Sequence, residues 1–332
     1  MLSIILVNFR SLSLIKDCIH SIGSFDSNPF EIIIIDNSND DPTQLLEAFP
    51  FVQWIPMGYN AGFARANNKG IQMANGETVL LLNPDIIIKE NAIHECYSRF
   101  NSSSFIACGV QLLNVDGSPQ ISGSYFMKGG LNHLLPIPFL GNFFKWLGNQ
   151  VGVKKTSVEQ VSGTREVDWI NGAFLMVKKE IIQKAGLMDE DFFLYAEEIE
   201  WCSRLKKHGK LAIYGDLHAI HLQGETANES FASEGKGYYN LYDSKGRQLL
   251  LSNFVRIRKQ FGTGWFLVHL FFYLLAIPVF FIGLLIQSLL SSKKQYSFKQ
   301  FRGYCSNMIY LLGKSMTILR NNPYFYKVFR DQ

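Results

Sequence analysis

Uninterrupted apolar runs alternate with segments of helical periodicity along the first part of the chain. Ser3–Val7, Glu31–Ile35 and Thr78–Leu82 are short runs rich in isoleucine, leucine and valine. A strand that is covered on both faces reads as a continuous apolar run, so these segments predict buried strands of a parallel sheet. Leu12–Ile22 and Ala61–Ala74 lie between the runs and predict the helices that connect the strands.

The order of the segments predicts the fold class. Strand, helix, strand, helix and strand follow one another, with a further strand candidate at Phe51–Ile55. This alternation is typical of a doubly wound α/β sheet, in which ligands bind at the carboxyl ends of the strands. Asp and Asn are common in ordinary turns, so each polar residue at a strand end has a structural explanation, but four in succession predict a ligand site. These four residues are Asn8, Asp36, Asn60 and Asp85.

Composition and missing motifs exclude several classes of protein. No G-x-G-x-x-G follows the first strand and no G-x-x-x-x-G-K-[ST] occurs, which disfavours dinucleotide-binding and P-loop proteins. The 332 residues allow one large domain or two modest ones, and a net charge of +4 is too small to predict a nucleic-acid partner.

The five cysteines form no C-x-x-C pair and predict reduced core residues of a cytosolic protein. The N-terminus lacks a basic region and a cleavage site, and predicts a first strand instead of a signal peptide.

Asp189–Gly209 combines a dense group of acids with a helical pattern. Apolar residues recur at helical spacing from Ile199, and Glu200 and Arg204 are spaced for an i,i+4 ion pair. One interpretation is an amphipathic helix whose acidic first turn suits the helix dipole. The other is a carboxylate held at the mouth of a cleft as a general base. Six acids fall within the first 12 residues of the stretch: Asp189, Glu190, Asp191, Glu197, Glu198 and Glu200.

The middle of the chain is less regular. Residues 112–167 carry scattered Gly, Pro and Ser and predict an insertion with mobile loops. Asp168–Lys178 returns to strand character, and Gly172 leaves room there for close approach of backbone or ligand. Lys210–Tyr214 predicts another strand. His221 follows it, and a histidine in such an apolar setting is more often a core residue than a ligand.

The last third of the chain contains a long uncharged segment. Trp265–Leu290 has no charged residue in 26 positions, and a continuous helix of that length would measure ~39 Å, enough to cross a bilayer core. Basic residues flank it on both sides, against the positive-inside tendency for a single crossing, and Pro278 and Gly283 interrupt it. We expect a helix–break–helix wedge in the cytoplasmic leaflet, with a true span and a buried helix as alternatives. A basic amphipathic segment is predicted over Phe298–Leu319.

Seven motifs occur in an order that resembles a known family. They are VNFRS, IIIIDNSNDD, YNAGFARANNKG, LLLNPD, WINGAFLMVKKE, GLMDEDFFLYAEEIEWCSRLKKHG and AIHLQGET. Together they resemble the family 2 glycosyltransferases with a GT-A fold, and among these the rhamnosyltransferase-type members that build bacterial O-antigen, capsule and cell-wall polysaccharides. The resemblance covers about residues 1–225. It implies a mixed, doubly wound GT-A catalytic domain at 1–240 and a helical, membrane-associating region at 241–332.

The resemblance implies a site for a nucleotide-sugar donor. Asn8 and Asp36 are expected at the base and the ribose, and Asn60 begins the group that lines the sugar-nucleotide pocket. The full set expected at the donor is Asn8, Asp36, Asn60, Gly62, Phe63, Asn67, Asn83, Asp85 and Gly172.

The resemblance also implies a metal site. Asn83-Pro84-Asp85 stands where the family keeps its D-x-D motif, so Asp85 is expected to bind Mg²⁺ or Mn²⁺ on the diphosphate. His221 matches the histidine that often completes that site. The first acid of the motif is here an asparagine, which leaves one carboxylate for the metal and implies a modest affinity.

A further correspondence concerns the catalytic base. Glu197-Glu198 matches the family's Glu-Asp pair, whose second acid takes the acceptor proton, and so points to Glu198. Because glutamate adds a methylene group where the family usually has aspartate, Glu197 and Asp191 remain alternative bases.

These correspondences imply an inverting, metal-dependent glycosyltransferase. The expected donor is dTDP-β-L-rhamnose, and the expected acceptor is a glycan on a polyprenyl diphosphate at the cytoplasmic face of the bacterial inner membrane, where the enzyme is peripheral or monotopic. Other donors, such as UDP-galactofuranose, UDP-galactose or UDP-N-acetylglucosamine, remain open. So do a non-catalytic nucleotide-sugar-binding subunit and an integral membrane protein with a soluble regulatory domain.

Overall fold

A computed structural model describes most of the chain and divides it into two compact units. The residues described are 1–23, 30–153, 156–222, 231, 233, 240–290 and 295–328. The end of the last motif, 223–226, and the lysines at 293–294 that flank the apolar segment lie outside them. The first unit comprises Met1–Phe126, Thr156–Phe193 and Glu197–Thr226, and the second comprises Met127–Lys155, Leu194–Ala196 and Ala227–Gln332.

Most strands of the first unit belong to one mixed sheet. Nine strands take part, in the order β3–β2–β1–β4–β11–β6–β12–β5, with β9 paired to β12. The strands β1 to β4 pair in parallel, whereas β11 runs antiparallel to both of its neighbours. The short strands β7, β8 and β10 form a separate three-stranded sheet. In chain order the strands are β1 (Leu2–Asn8), β2 (Phe30–Asp36), β3 (Val52–Pro56), β4 (Thr78–Leu82), β5 (Ile86–Ile88), β6 (Ala107–Leu113), β7 (Gly123–Ser124), β8 (Ser157–Val158), β9 (Thr164–Val167), β10 (Trp169–Ile170), β11 (Phe174–Lys178) and β12 (Leu211–His221).

Helices cover both faces of this sheet, which explains the uninterrupted apolar runs. Ile32 and Ile34 of β2 lie in the core on one face, and Ile33 and Ile35 lie in the core on the other. All four are fully buried, as expected for a strand covered on both sides. The predicted doubly wound α/β sheet is therefore confirmed. The helices of this unit are α1 (Leu12–Ile22), α2 (Thr43–Ala48), α3 (Gly62–Met73), α4 (Ala92–Asn101), α6 (Lys179–Ala185) and α7 (Glu197–Leu205), followed by a 3₁₀ turn at Lys206–His208.

Helices are the regular structure of the second unit in the part that is described. A 3₁₀ segment (Lys128–Leu134) precedes α5 (Leu140–Gln150), and three longer helices follow: α8 (Ser244–Phe261), α9 (Thr263–Leu290) and α10 (Phe298–Arg320). A capping box of Ser297 and Gln300 begins α10, so the predicted amphipathic segment is a helix.

The helix α9 corrects the expected break in the apolar segment. It runs unbroken through Pro278, so the predicted helix–break–helix arrangement is wrong. Proline removes only one main-chain donor, and buried side chains at Tyr273 and Phe280 hold the helix against its neighbours on both sides of that point. Gly283 allows the Phe139 ring to pack closely against the helix, because a Cβ at this position would lie 2.5 Å from that ring. In the described part of the chain, α9 is the one helix long and apolar enough to cross a membrane by length and composition.

The region 112–167 contains more regular secondary structure than the sequence predicted. Its described residues include β7, α5, β8 and β9, where the sequence predicted mobile loops. The helix α5 contains Gly141, which lowers helix propensity and hides the helix from pattern analysis. A Cβ at Gly141 would lie 2.0 Å from the Leu135 carbonyl oxygen, so the glycine is needed for that close approach.

Candidate active site

The first two strand ends form a hydrogen-bonded corner. Asn8 and Asp36 are neighbours in register, and Asn8 Nδ2 donates to Asp36 Oδ1 at 2.7 Å. Both side chains are fully buried. Asp36 also accepts from the main-chain N–H groups of Ser38 and Asp40, while Asn8 Nδ2 donates to Asp40 Oδ2 at 2.9 Å. The pair therefore shapes the loop after β2, and the half-buried Ser38 and Asp40 carry its polar surface. Sequence reasoning missed these two, although both lie within the IIIIDNSNDD motif.

The start of α3 is held to the acidic stretch by a glycine contact. Gly62 has φ +73°, and a Cβ there would lie 2.2 Å from the Phe193 carbonyl oxygen. That carbonyl accepts from the Phe63 N–H at 2.9 Å. Asn60 Oδ1 accepts from the Gly62 N–H at 3.2 Å and so begins the turn into the helix. Only glycine suits both the backbone angle and the approach, so this residue fixes the distance between α3 and the acids.

Two adjacent amides on α3 have different surroundings. Asn68 is buried, donates to the Met188 carbonyl and accepts from the Met188 N–H, each at 2.9 Å. It therefore anchors the start of the acidic stretch, a positioning role that the sequence did not reveal. Asn67 is 1% exposed and donates to the Phe63 carbonyl one turn earlier in its own helix. Donor contact by Asn67 stays a prediction.

The ion pair predicted within α7 is present. Arg204 donates to both carboxylate oxygens of Glu200, with distances of 2.9 Å from Nε and from Nη2. Its guanidinium also donates to the carbonyls of Ala185 and Leu187. Glu200 and Arg204 thus tie α7 to the turn after α6. This predicted salt bridge is confirmed, and it is structural.

The three candidate bases differ in exposure. Glu197 is 3% exposed and Asp191 is 9% exposed, whereas Glu198 is half-buried. A Cβ added to Gly172 would lie 3.3 Å from the Glu198 Cβ and 3.6 Å from Phe63 Cε1. Glu198 therefore lies against the bare backbone of Gly172 and is the least buried of the three residues.

The backbone immediately before these acids is strained. Tyr195 and Ala196 have φ values of +73° and +69°, in the left-handed region that non-glycine residues rarely adopt. Each such residue costs roughly 1–3 kcal/mol, and strain of this kind is found at sites where the surrounding structure over-determines a geometry. The strain lies directly at the start of α7, where Glu197 and Glu198 are held.

A line of contacts links Glu198 to the other end of the site. Gly172 is followed by Ala173, whose carbonyl accepts from the Asn83 N–H at 3.0 Å. Asn83 begins the turn that contains Asp85. Asp85 Oδ1 lies 3.5 Å from His221 Nε2, and the Leu222 N–H donates to the Asp85 carbonyl at 3.0 Å. The carboxylate and the imidazole are both largely buried.

Gln120 determines the tautomer of His221. Its Nε2 donates to the His221 carbonyl at 2.8 Å and to Asn114 Oδ1 at 2.8 Å. These bonds orient the amide so that Oε1 faces His221 Nδ1 at 3.0 Å. With an acceptor at Nδ1, the neutral imidazole carries its proton on that nitrogen, and in that tautomer the Nε2 lone pair is directed towards Asp85. Histidines that bind metals usually have this arrangement, with the second ring nitrogen donating to a fixed acceptor.

Asp85 and His221 suit a divalent cation that is shared with a ligand. No group of three or more His, Cys, Asp or Glu side chains within the described ranges is arranged to hold a metal by itself. Magnesium is commonly bound through one or two protein groups, with substrate phosphates and water completing its shell. One carboxylate and one imidazole nitrogen at 3.5 Å meet that requirement.

A buried thiol lies beneath each end of the site. Burial, together with the negative charge of Asp85, raises the pKa of Cys18. Burial is also the main cause that raises the pKa of Cys202 to about 12, with Glu198 and Glu200 adding to it. Both thiols are therefore protonated at neutral pH and are neither nucleophiles nor metal ligands.

The chain resembles several known proteins. The glycosyl transferase family 2 model matches residues 3–156. The low-salt glycan biosynthesis hexosyltransferase Agl10 of Haloferax volcanii is 28% identical over 291 residues, covering 82% of this chain and 85% of that protein. An N-acetylglucosaminyl-diphospho-decaprenol L-rhamnosyltransferase of Mycobacterium tuberculosis is 26% identical over 243 residues, 66% of this chain and 76% of that protein. The solved mannosyltransferase PcManGT from Pyrobaculum calidifontis, in complex with GDP-Man and Mn²⁺, has a TM-score of 0.51 at 13% identity and covers 97% of this chain and 87% of that chain.

The mixed sheet and these matches define the class: the chain has a GT-A fold and is similar to the family 2 glycosyltransferases, whose model matches a little under half of the chain. With a hexosyltransferase and a rhamnosyltransferase among its curated relatives, it is a rhamnosyltransferase-like enzyme. Enzymes of this family act on a nucleotide-sugar donor and a glycan acceptor.

Proposed function

We propose that the protein transfers an L-rhamnosyl residue from dTDP-β-L-rhamnose to a glycan carried on a polyprenyl diphosphate, with inversion at the anomeric carbon. The name of the mycobacterial relative, which includes both the sugar and a lipid diphosphate, supports these substrates. The observation that carries the proposal is the line of contacts from Glu198 through Gly172 and Asn83 to Asp85 and His221. It runs along the edge of the sheet at which α/β proteins bind ligands.

Glu198 is the proposed general base. The acceptor hydroxyl oxygen forms a bond to the anomeric carbon, and its proton passes to the Glu198 carboxylate. The bond from the anomeric carbon to the diphosphate oxygen breaks, and its electron pair leaves with the nucleoside diphosphate. Inversion requires the base on the face opposite the leaving group, as in inverting glycosidases. Glu198 is preferred to Glu197 and Asp191 because it is the least buried of the three.

Asp85 and His221 are the proposed ligands of a divalent cation, Mg²⁺ or Mn²⁺. When bound, such a cation would offset the negative charge that the departing diphosphate gains. Asn83 offers an amide where the family usually has a second carboxylate, so we expect a weaker affinity for the free metal than for the metal–donor complex. The role of Gln120 is to keep the His221 lone pair facing the site.

Donor recognition is proposed for the strand-end edge and the start of α3. Because Asn8 and Asp36 are fully buried, they shape the nucleotide end of the site, and Ser38 and Asp40 supply its accessible polar groups. Asp40 is the proposed partner of the ribose hydroxyls. The other residues proposed near the donor are Asn60, Gly62, Phe63, Asn67, Asn83 and Gly172.

The proposed location is the cytoplasmic face of the bacterial inner membrane, with the protein peripheral or monotopic. An acceptor anchored by a polyprenyl chain requires an enzyme that works at the lipid surface, and α9 is a candidate membrane-associating helix. In this proposal residues 1–240 form the catalytic domain, and residues 241–332 hold it at the membrane.

A second candidate is the same reaction with another hexose donor, such as UDP-galactose, UDP-galactofuranose or UDP-N-acetylglucosamine. The hexosyltransferase name of the archaeal relative favours it.

One experiment separates these possibilities. Purified full-length protein is incubated with each nucleotide sugar, Mg²⁺ or Mn²⁺ and a short polyprenyl-diphosphate glycan, and both nucleoside diphosphate release and the glycolipid mass are measured. We expect dTDP release and a rhamnosylated lipid. Turnover of a UDP-sugar alone would establish the second candidate, and binding without turnover of any donor would indicate a non-catalytic subunit.

A further inference from the structure

The short helix α5 exposes an apolar face. Phe143, Trp146 and Leu147 are 52%, 56% and 42% exposed, and their spacing of three and four residues places them on one side of the helix. Lys145 lies exposed among them. Clustered exposed rings of this size are uncommon on a surface that faces only water.

This face is continuous with the outer face of α9. A series of four ring-to-ring contacts runs from one helix to the other. Two lie within α5, each with a centroid distance of 5.9 Å, one joins α5 to α9 at 5.0 Å, and one lies within α9 at 5.3 Å. The rings, in order of contact, are Trp146, Phe143, Phe144, Phe272 and Phe271. Phe271 is exposed on α9, and further apolar residues continue that face to the end of the helix. These residues are Leu275, Ile282, Leu285, Ile286 and Leu289.

The opposite face of α9 is covered as far as Leu284. Its buried residues run from Phe266 to Leu284, and the middle of the helix packs on α10. Tyr304 Oη donates to the Tyr273 carbonyl at 2.8 Å, and the Phe301 and Phe280 rings are 5.4 Å apart. The exposed Arg302 lies between those two contacts in sequence. A perpendicular crossing by α9 would bring this cation to the middle of the bilayer, where a charge is costly, whereas a helix in the plane of the surface would not.

Charge distinguishes a membrane from a second protein copy as the occupant of this surface. The second unit contains 18 Lys and Arg residues against 4 Asp and Glu residues. The first unit has the opposite balance, with 14 against 24. From Ser244 to Arg330 the chain has 13 basic residues and no acid. Two such units facing one another would repel, whereas a bilayer with anionic headgroups attracts them.

We propose that α5 and the outer face of α9 form one surface that inserts into an anionic bilayer, with α9 parallel to the membrane plane. Trp146 and its neighbouring rings enter the interface, which suits amphipathic aromatic side chains. The surrounding lysines and arginines contact lipid headgroups. The inference deepens the membrane location in the proposed function, and it adds α5 as a second lipid-contacting element.

Flotation with vesicles tests the contribution of α5. Full-length protein is mixed with vesicles of phosphatidylcholine alone or with phosphatidylglycerol added. The double variant Phe143→Ser/Trp146→Ser is compared with Asn149→Ser, an exposed polar position on the same helix. We expect the double variant to lose about tenfold or more of its binding to anionic vesicles, since two rings that would enter the bilayer are removed, and the Asn149 variant to bind normally. Unchanged binding by the double variant would overturn the proposal.

Two further readouts guard against a folding defect or a dimer. Brominated lipid should quench the tryptophan fluorescence of the wild type more than that of Trp146→Phe. This is a mild change that keeps an aromatic ring at the position. Equal quenching would overturn the role of Trp146.

Sedimentation should give a monomer in both the wild type and the double variant, and a wild-type dimer lost in the variant would assign the surface to self-association. Transfer to a water-soluble acceptor should survive in the double variant, so failure of the membrane inference is distinguishable from failure of the proposed reaction.

The orientation of α9 has its own test. Thr263→Cys lies at the start of the helix and Gln295→Cys lies beyond its end at Leu290. Each is made in a Cys305→Ser background, and each protein is added to preformed vesicles. A membrane-impermeant maleimide should label both positions from outside. Protection of one end until detergent is added would show a spanning helix and overturn the in-plane arrangement.

Discussion

Gln120 contacts both the ring and the main chain of His221. Its amide oxygen lies 3.0 Å from Nδ1, and its amide nitrogen donates to the carbonyl at 2.8 Å. One side chain thus favours the neutral tautomer that is protonated at Nδ1 and fixes the position of the backbone at the end of β12. His221 Nε2 lies 3.5 Å from Asp85 Oδ1, so Gln120 acts on the proposed cation site without lying in it.

Gln120→Leu should weaken divalent-cation binding by about 10- to 100-fold, the usual cost of losing a partner behind a metal-binding histidine. Leucine keeps much of the volume but cannot accept from Nδ1. Mn²⁺ titration by electron paramagnetic resonance, with the donor nucleotide present, measures this directly. Gln44→Leu, at an exposed position on α2, is the matched control. Equal Mn²⁺ affinity in the two variants would remove Gln120 from the role.

Glu198→Gln should reduce sugar transfer by about 10²- to 10⁴-fold, because the amide cannot take the acceptor proton. Donor affinity, measured by calorimetry, should stay close to wild type. Glu47→Gln, on the exposed side of α2, controls for the loss of one charge. Full transfer by the Glu198 variant, together with inactive Glu197→Gln or Asp191→Asn, would move the base to one of those residues.

Gly62→Ala should destabilise the first unit by more than about 2 kcal/mol, an order-of-magnitude figure that combines left-handed backbone strain with a clash against the Phe193 carbonyl. Gly58→Ala separates the two causes, because Gly58 has φ +77° but a Cβ added there would have nothing within 4 Å. It should cost only about 1 kcal/mol. Chemical denaturation of both proteins checks the difference, and equal costs would show that the contact at Gly62 is unimportant.

Asp243 is the N-cap residue of α8, and its side chain accepts from the Gly246 N–H. Asp243→Ala should therefore destabilise the second unit in a pH-dependent way. Burial by itself would raise the pKa of Asp243, but donation from the Gly246 N–H, Ser233 and Asn240 lowers it overall. A carboxyl whose pKa falls on folding adds stability above its unfolded pKa of about 4, and loses that contribution as the pH falls through the folded value. The variant should therefore lose about 1 kcal/mol at pH 7, as for other helix caps.

Denaturation curves at pH 7 and at pH 3 or below test this expectation. The difference between wild type and Asp243→Ala should shrink at the lower pH. A difference that stays constant, or grows, would mean that the carboxylate charge contributes nothing to the cap at the start of α8.

Much of the first unit follows from local pattern. The isoleucines of β2 can be buried on both faces only in a covered sheet, so the run itself predicts the layers. The polar residues after β1, β2 and β4 meet at one edge because parallel strands share a direction. The Glu200–Arg204 pair also follows from helical spacing alone.

Other features depend on partners that are distant in sequence. Gln120 lies 101 residues from His221 and within a region without clear periodicity, so no local pattern connects them. Asn68 looks like any polar helix residue until Met188, 120 residues away, accepts from it. The glycine in α5 and the proline in α9 both disfavour a helix locally, yet packing against Leu135 and around Tyr273 and Phe280 maintains the helix in each case.

The sequence by itself determined the α/β layers, the ligand-binding edge and the acids available for chemistry, since each depends on periodicity or on the direction of a strand. Only the tertiary structure decided which acid keeps access to a ligand, which nitrogen of His221 is free and which faces of α5 and α9 stay exposed. Those properties are set by burial and by hydrogen bonds between distant segments, and these exist only once the chain is folded.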